Sequence, residues 1–338
     1  MNPQPQRRPS LAPFLLWLAA FYCAWLALVL LGGHWQTVIA HWQIAVTMAA
    51  GSYIAGSTPM GGGTVAFPVL VLFMDLPATL GRDFSFAVQS IGMTSASIYI
   101  LCTRQPVEWP MLRAALAGSL VGTPLGIVFV APLVSETFIK LLFATIWCSF
   151  GLLHLHRIRE ITAYAGMTPH DVTFDHRTGF VVGLAGGATV ASVTGVGIDM
   201  MIYLALVLLC HADLKIAIPT SVVLMAFTSL VGIAVKLAAG GVAAGTFENW
   251  LAAAPVVAVG APLGALVVSR IGRRPTLLIV SLLCVGQFVW ALYHERHVAP
   301  AWSLAAAMLG VVLFLLVFQQ MYVYGRRLAR RQRPERRN

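Results

Sequence analysis

Charged side chains are scarce in this chain: Asp, Glu, Lys and Arg make up 10% of 338 residues, against 59% hydrophobic residues. A soluble globular domain carries about 25% charge. The few charges here could not cover a water-facing surface, which excludes an ordinary soluble fold and leaves the bilayer as solvent. Catalytic signatures are absent too. The nine histidines show no HExxH spacing and no GxSxG elbow appears, so no catalytic residue, metal site or cofactor is expected. Cys23, Cys102, Cys148, Cys210 and Cys284 form no CxxC pair and lie within or beside apolar runs. They read as small apolar fillers rather than as a disulfide or zinc framework.

Basic residues outnumber acidic ones, 22 to 12. A nucleic-acid partner does not follow from this. Seven arginines fall between Arg326 and Arg337, directly after an apolar run. That is the pattern of a cytoplasmic tail obeying the positive-inside rule, with contact to anionic lipid.

Long apolar runs are what the chain has in abundance. They cover 11–32, 38–56, 64–75, 84–103, 110–130 and 136–155, then, after a polar stretch at 156–177, 178–193, 198–210, 216–237, 248–268, 276–293 and 300–323. The expected fold is an all-α polytopic membrane protein. The first run follows Arg7 and Arg8 and is too long for a signal-peptide core, so a retained span is expected. With the N-terminus inside and every run crossing, eighteen of the 22 basic residues fall on the inner side. Arg82, Lys140, Lys236 and Arg296 are the exceptions. Both termini are therefore expected in the cytoplasm of a multi-pass cell-membrane protein. The same parity survives if each short run pairs with its predecessor as a re-entrant hairpin. Trp17, Trp25, Trp35, Trp42, Trp109, Trp250 and Trp302 mostly mark run ends, as interface anchors do.

The chain is internally duplicated. Gly122-Thr-Pro-Leu-Gly126 repeats as Gly260-Ala-Pro-Leu-Gly264, Thr94-Ser95 as Thr228-Ser229, and Gly61 with Gly63 as Gly195 with Gly197. Each copy holds an odd number of runs, five, so two copies would enter the membrane from opposite sides as inverted repeats; if each short run merely continued its predecessor, each copy would hold four and the repeats would be parallel. The expected organisation is an N-terminal segment and extra span over 1–37, a first repeat over 38–156 and a cytoplasmic connection over 157–177. A second repeat follows over 178–295, then an extra span and basic tail over 296–338.

Helix should fail at two matched places: Gly56–Thr64, with Pro59 and three consecutive glycines, and Ala191–Gly197. The run at 64–75 is twelve residues, roughly 18 Å as helix against a ~30 Å hydrocarbon core, hence a half-helix. Unwound backbone is tolerated at that depth only where protein, water or a substrate satisfies it. Glycine N–H groups and half-helix N-termini could cradle a small anion. The candidate substrate-binding residues are Ser57, Thr58, Gly61, Gly62, Gly63, Thr64, Ser192, Thr194, Gly195 and Gly197. The competing reading is that these glycines serve close helix packing.

Gly61-Gly62-Gly63 with Pro68, the small polar region Ala87–Ser97, its partner from Ala217-Ile-Pro-Thr220-Ser221 to Thr228-Ser229, and the two Gly-x-Pro-Leu-Gly motifs together resemble the TauE/SafE family of sulfite exporters. The likeness covers roughly residues 40–295. Here the second glycine motif is reduced to Gly195-Val196-Gly197 and is followed by Asp199. The resemblance implies export or exchange of sulfite or a related organosulfonate without a prosthetic group.

Four ionisable or amide residues are coupling or gating candidates. Asp199 would stabilise its helix N-terminus or act as a protonatable group; Lys236 would pair with it or snorkel. Arg82 would form an interfacial or gating pair with Asp83. Gln89 would line a pathway or bond a neighbouring helix. His154 and His156 read as interfacial. The function expected is secondary transport of a small anion, with a proton or sodium as coupling ion. An anion channel of the same architecture and a non-transporting assembly or sensor protein are the alternatives; oligomeric state is left open.

Overall fold

The computed structural model describes residues 10–168, 170–271 and 274–332. Arg7, Arg8, Arg273, Arg333, Arg336 and Arg337, used above for sidedness, lie outside the described residues. Those residues contain fourteen α-helices and no strand. They run α1 (Ala12–Leu31), α2 (Trp35–Ala40), α3 (Trp42–Ser57), α4 (Gly63–Pro68), α5 (Ala78–Cys102), α6 (Trp109–Leu125) and α7 (Glu136–Ile161). Then come α8 (Val172–Gly186), α9 (Ser192–Thr194), α10 (Ile198–Leu204), α11 (Leu214–Ala238), α12 (Thr246–Ile271), α13 (Arg274–Glu295) and α14 (Ala301–Gln332). Eight helices are long and apolar enough to cross a membrane: α1, α5, α6, α7, α11, α12, α13 and α14.

The short pieces do not cross. α3 ends at the first break, and α4 continues through a π-helical turn (Val69–Phe73) to the start of α5. The chain entering α3 packs His34 on Phe247, beside the loop before α12. Asp83, in the second turn of α5, accepts from the Ala243 N–H in that same loop at 2.9 Å. α3 therefore enters from the face at which α5 begins, and the half-helix returns to it. The second copy repeats the geometry. The loop before α8 meets the loop before α11 through Thr168 N–H to Cys210 O (2.9 Å) and Asp213 N–H to Gly166 O (2.6 Å). The Glu108 N–H, past the end of α5, donates to Thr220 Oγ1 in the second turn of α11 at 2.9 Å. The second hairpin thus opens on the face where α5 ends, opposite the first, an arrangement compatible with inverted repeats.

Packing exchanges elements between the copies. α3 lies on α12 while α8 lies on α6, α5 meets α11, and α7 meets α13. The duplicated Gly-x-Pro-Leu-Gly motifs sit at the exchanged crossings. A β-carbon at Gly122 would overlap the Leu184 carbonyl, and one at Gly260 the Ser52 side chain. At these positions the small residue serves backbone-close packing.

Helix starts are set by local chemistry. Ser135 caps α7, accepting from Phe138 N–H at 3.2 Å, and Asp213 caps α11, accepting from Lys215 N–H at 2.8 Å. α5 borrows its cap: the Glu136 carboxylate of α7 accepts from the Ala78 and Thr79 N–H groups. A carboxylate there also opposes the positive end of the helix dipole. α1 is tied to the core rather than merely anchored in lipid. Trp17 Nε1 donates to Ser95 Oγ (2.8 Å) and Trp25 Nε1 to Leu251 O (2.9 Å), so these two tryptophans also bind α1 to α5 and α12.

Candidate functional site

Both breaks form where the sequence places them. α3 stops at Ser57; Thr58 is extended (φ −138°, ψ 164°) and Gly61 is left-handed at φ 63°. In the second copy α9 stops at Thr194, with Gly195 at φ 79° and Gly197 at φ 100°. A side chain at such φ is strained, so glycine is required.

The breaks abut one another across α5. A β-carbon at Gly63 would overlap Val196 Cγ1 and crowd Ser85; one at Gly195 would overlap the Arg82 carbonyl. One at Gly61 would overlap Gln89 Oε1 and meet Asp199 Oδ2 at 3.0 Å. Gln89 staples the junction. Its Nε2 donates to Ser85 O on its own helix (3.0 Å) and to Gly195 O in the second break (3.1 Å). From α7, Trp147 Nε1 donates to Thr64 Oγ1 at 2.7 Å, while a β-carbon at Gly197 would meet the Trp147 ring at 3.0 Å. Trp147 therefore touches both breaks.

The predicted hydroxyls are spread along these elements and bond locally. Ser57 and Thr58 donate to Ile54 O (3.2 and 2.8 Å), and Ser192 donates to Ala188 O (2.8 Å). Thr194 donates to Val190 O (2.8 Å), and Thr64 to Met60 O. Gly62 faces the other way, onto a space of about 10 Å³ bordered by Met48, Ser52, Ala55, Gln89 and Gly92. That is room for about one water.

Asp199 is fully buried at the start of α10 and accepts from the Met200 N–H at 3.0 Å. The helix end thought open to an anion thus already carries a carboxylate. Lys236 does not pair with Asp199, which corrects that expectation. Its Nζ lies 3.1 Å from Asp83 Oδ2, while Arg82 Nε lies 2.9 Å from Asp83 Oδ1. The anchor is Asp83, which sequence reading noticed only as a partner for Arg82. The triad is buried and carries one net positive charge. His154 is likewise corrected: it is not interfacial but fully buried, between Phe150 O (2.9 Å) and the Tyr203 hydroxyl (2.9 Å). Sequence reasoning missed Ser85, Trp147 and Tyr203. For Trp147 a signal existed, a tryptophan in mid-run rather than at a run end. Among the described residues no cluster of metal-ligating side chains occurs.

Among the described residues, eight apolar helices of membrane-crossing length, with two broken helices meeting in the protein interior, define a multi-pass membrane protein. The sequence profile described as sulfite exporter TauE/SafE matches residues 43–290, and the chain belongs to that family of membrane transporters. No curated protein and no solved structure matches it.

Proposed function

We propose that this chain is a secondary transporter of a small anion, sulfite or a related organosulfonate, and works as an exporter in the cell inner membrane with both termini cytoplasmic. The observation that carries the reading is that the two duplicated helix breaks meet at one buried point, with Gly63 against Val196 and Gly61 close to Asp199. In this reading the repeats are inverted, and each hairpin is a gate element opening from its own face. Backbone N–H groups at Gly61–Thr64 and Thr194–Gly197, with the hydroxyls of Ser57, Thr58, Thr64, Ser192 and Thr194, form the anion site once the hairpins part. The space of about 10 Å³ beside Gly62 is too small for sulfite, so in this reading the hairpins must part for the anion to bind.

The test is flux in proteoliposomes of purified protein, with sulfite, sulfoacetate, sulfate and carboxylates offered singly and in competition. Saturable movement of sulfite or sulfoacetate is expected, with carboxylates poor competitors. Carboxylate flux without sulfur-anion flux would overturn the substrate class. No flux of any anion would overturn transport.

A further inference from the structure

Two buried oxygens lack a donor where the breaks meet. Gln89 Oε1 and Asp199 Oδ2 make no hydrogen bond among the described residues, and their residues are 1% and 0% exposed. Both border one point, since a β-carbon on Gly61 would overlap the first and touch the second at 3.0 Å. Turning the amide does not help. Nε2 already donates to the Ser85 and Gly195 carbonyls at 3.0 and 3.1 Å, and a flip would set Oε1 against both. A buried acceptor without a donor is unfavourable, and here two of them border the same point.

Charged and titratable neighbours are engaged elsewhere. On α5 and α11, Arg82 and Lys236 hold Asp83. On α7, His154 bonds Phe150 O and the hydroxyl of Tyr203, which belongs to α10. A metal cation fits poorly, because hard cations take several oxygen ligands. The nearby carbonyls each already accept one hydrogen bond, Gly195 O from Gln89, Gly61 O from the Thr64 N–H, and Met60 O from the Thr64 hydroxyl, which leaves one lone pair on each.

We propose that Asp199 and Gln89 form a proton-binding site, in which Asp199 Oδ2 carries a proton and donates it in a hydrogen bond to Gln89 Oε1. One proton satisfies both oxygens. It comes from bulk water when the hairpins part and returns there. Resting on the transport reading, the site is the coupling site. An ionised Asp199 at the start of α10 repels an anion, and a protonated one does not, so anion and proton bind together. A dianion carried with one proton still moves net negative charge, which an interior-negative potential drives outward.

Infrared difference spectra of the purified protein in lipid, between acid and alkaline buffer, test the site without any transport. A protonated-carboxyl band is expected that is lost in Asp199→Asn and moves to higher frequency in Gln89→Leu, where the acceptor is gone. In proteoliposomes, acceleration of sulfite flux by a pH gradient should fall about tenfold in Asp199→Asn. Absence of an Asp199-dependent band, or a band indifferent to Gln89→Leu, overturns the site, and flux that needs sodium and ignores the pH gradient overturns its role in coupling. The band without any sulfite flux leaves the proton site standing and removes the transport reading instead.

Discussion

A β-carbon added at Gly62 would meet Met48 Cε at 3.5 Å and Ala55 Cβ at 3.7 Å, ordinary contacts. At Gly195 the backbone is at φ 79° and the added carbon would overlap the Arg82 carbonyl. Gly62→Ala should therefore leave thermal stability unchanged, while Gly195→Ala should lower it by at least about 1 kcal/mol. Unfolding of the two variants in detergent checks this; equal midpoints would contradict it. The left-handed φ at Gly195 leaves Gly62 as the position of the two that can take a side chain. The Asp83 triad gives a second contrast. Asp83→Ala strands two buried cations and should cost about 3–5 kcal/mol, while Lys236→Ala leaves the Arg82–Asp83 pair and should cost much less. The same unfolding measurement decides it, and equal losses would show that Asp83 is not the anchor.

At the scale of the element, the half-helices share features that no sequence pattern announced. Each ends in a π-helical turn, Val69–Phe73 and Ala205–Leu209, followed by one capping residue and then a left-handed one, Asp75 (φ 55°) and His211 (φ 49°). Trp147 braces the first half-helix, so Trp147→Phe should cost about 1 kcal/mol for the lost bond to Thr64. Amide exchange over 63–73 should quicken with it; unchanged exchange there would remove the bracing role. Outside the spans, burial and the nearby Asp175 carboxylate raise the Glu108 pKa in the loop before α6. A carboxyl raised on folding favours the folded state at low pH, and that contribution is lost as pH rises through the ordinary carboxylate value towards the folded one. The Glu108→Gln midpoint should therefore gain on wild type as pH rises from acid to neutral, and a constant gap would contradict the assignment.

Element existence was legible because apolar runs and glycine clusters are strong signals. Element ends were not, because charges mark the membrane boundary rather than the end of a helix. α5 begins at Ala78, not 84, with Arg82 and Asp83 inside it. α8 begins at Val172, not 178, and carries Asp175, His176 and Arg177 within the helix. Hydropathy also cannot tell a crossing from a re-entrant hairpin, since both are apolar; the loop-to-loop hydrogen bonds at Thr168 and Asp213 make that distinction. The glycines of the site were visible for the same reason the breaks were. Their meeting with Gln89 depends on how α5 threads between the hairpins, and no local pattern encodes that.

For the whole molecule, eight helices long and apolar enough to cross, and two hairpins opening on opposite faces, among the described residues, are compatible with inverted repeats and with α1 starting on the side where α14 ends. Impermeant labelling of Ala244→Cys and Arg327→Cys in a cysteine-free background tests the sidedness. Label should reach residue 244 from outside and residue 327 only after permeabilisation; the reverse pattern would invert the proposed orientation. In the proposed pathway a small sulfur anion passes where the two breaks meet. Sulfite flux in proteoliposomes, compared for wild type, Gly62→Ala and Gly62→Val at matched thermal stability, tests this passage. Saturable flux is expected in wild type, near-normal flux with alanine, and a loss of at least about tenfold with valine, whose added bulk fills the space beside the break and stiffens the backbone there. Undiminished sulfite flux through a folded Gly62→Val protein would contradict it and place the pathway elsewhere.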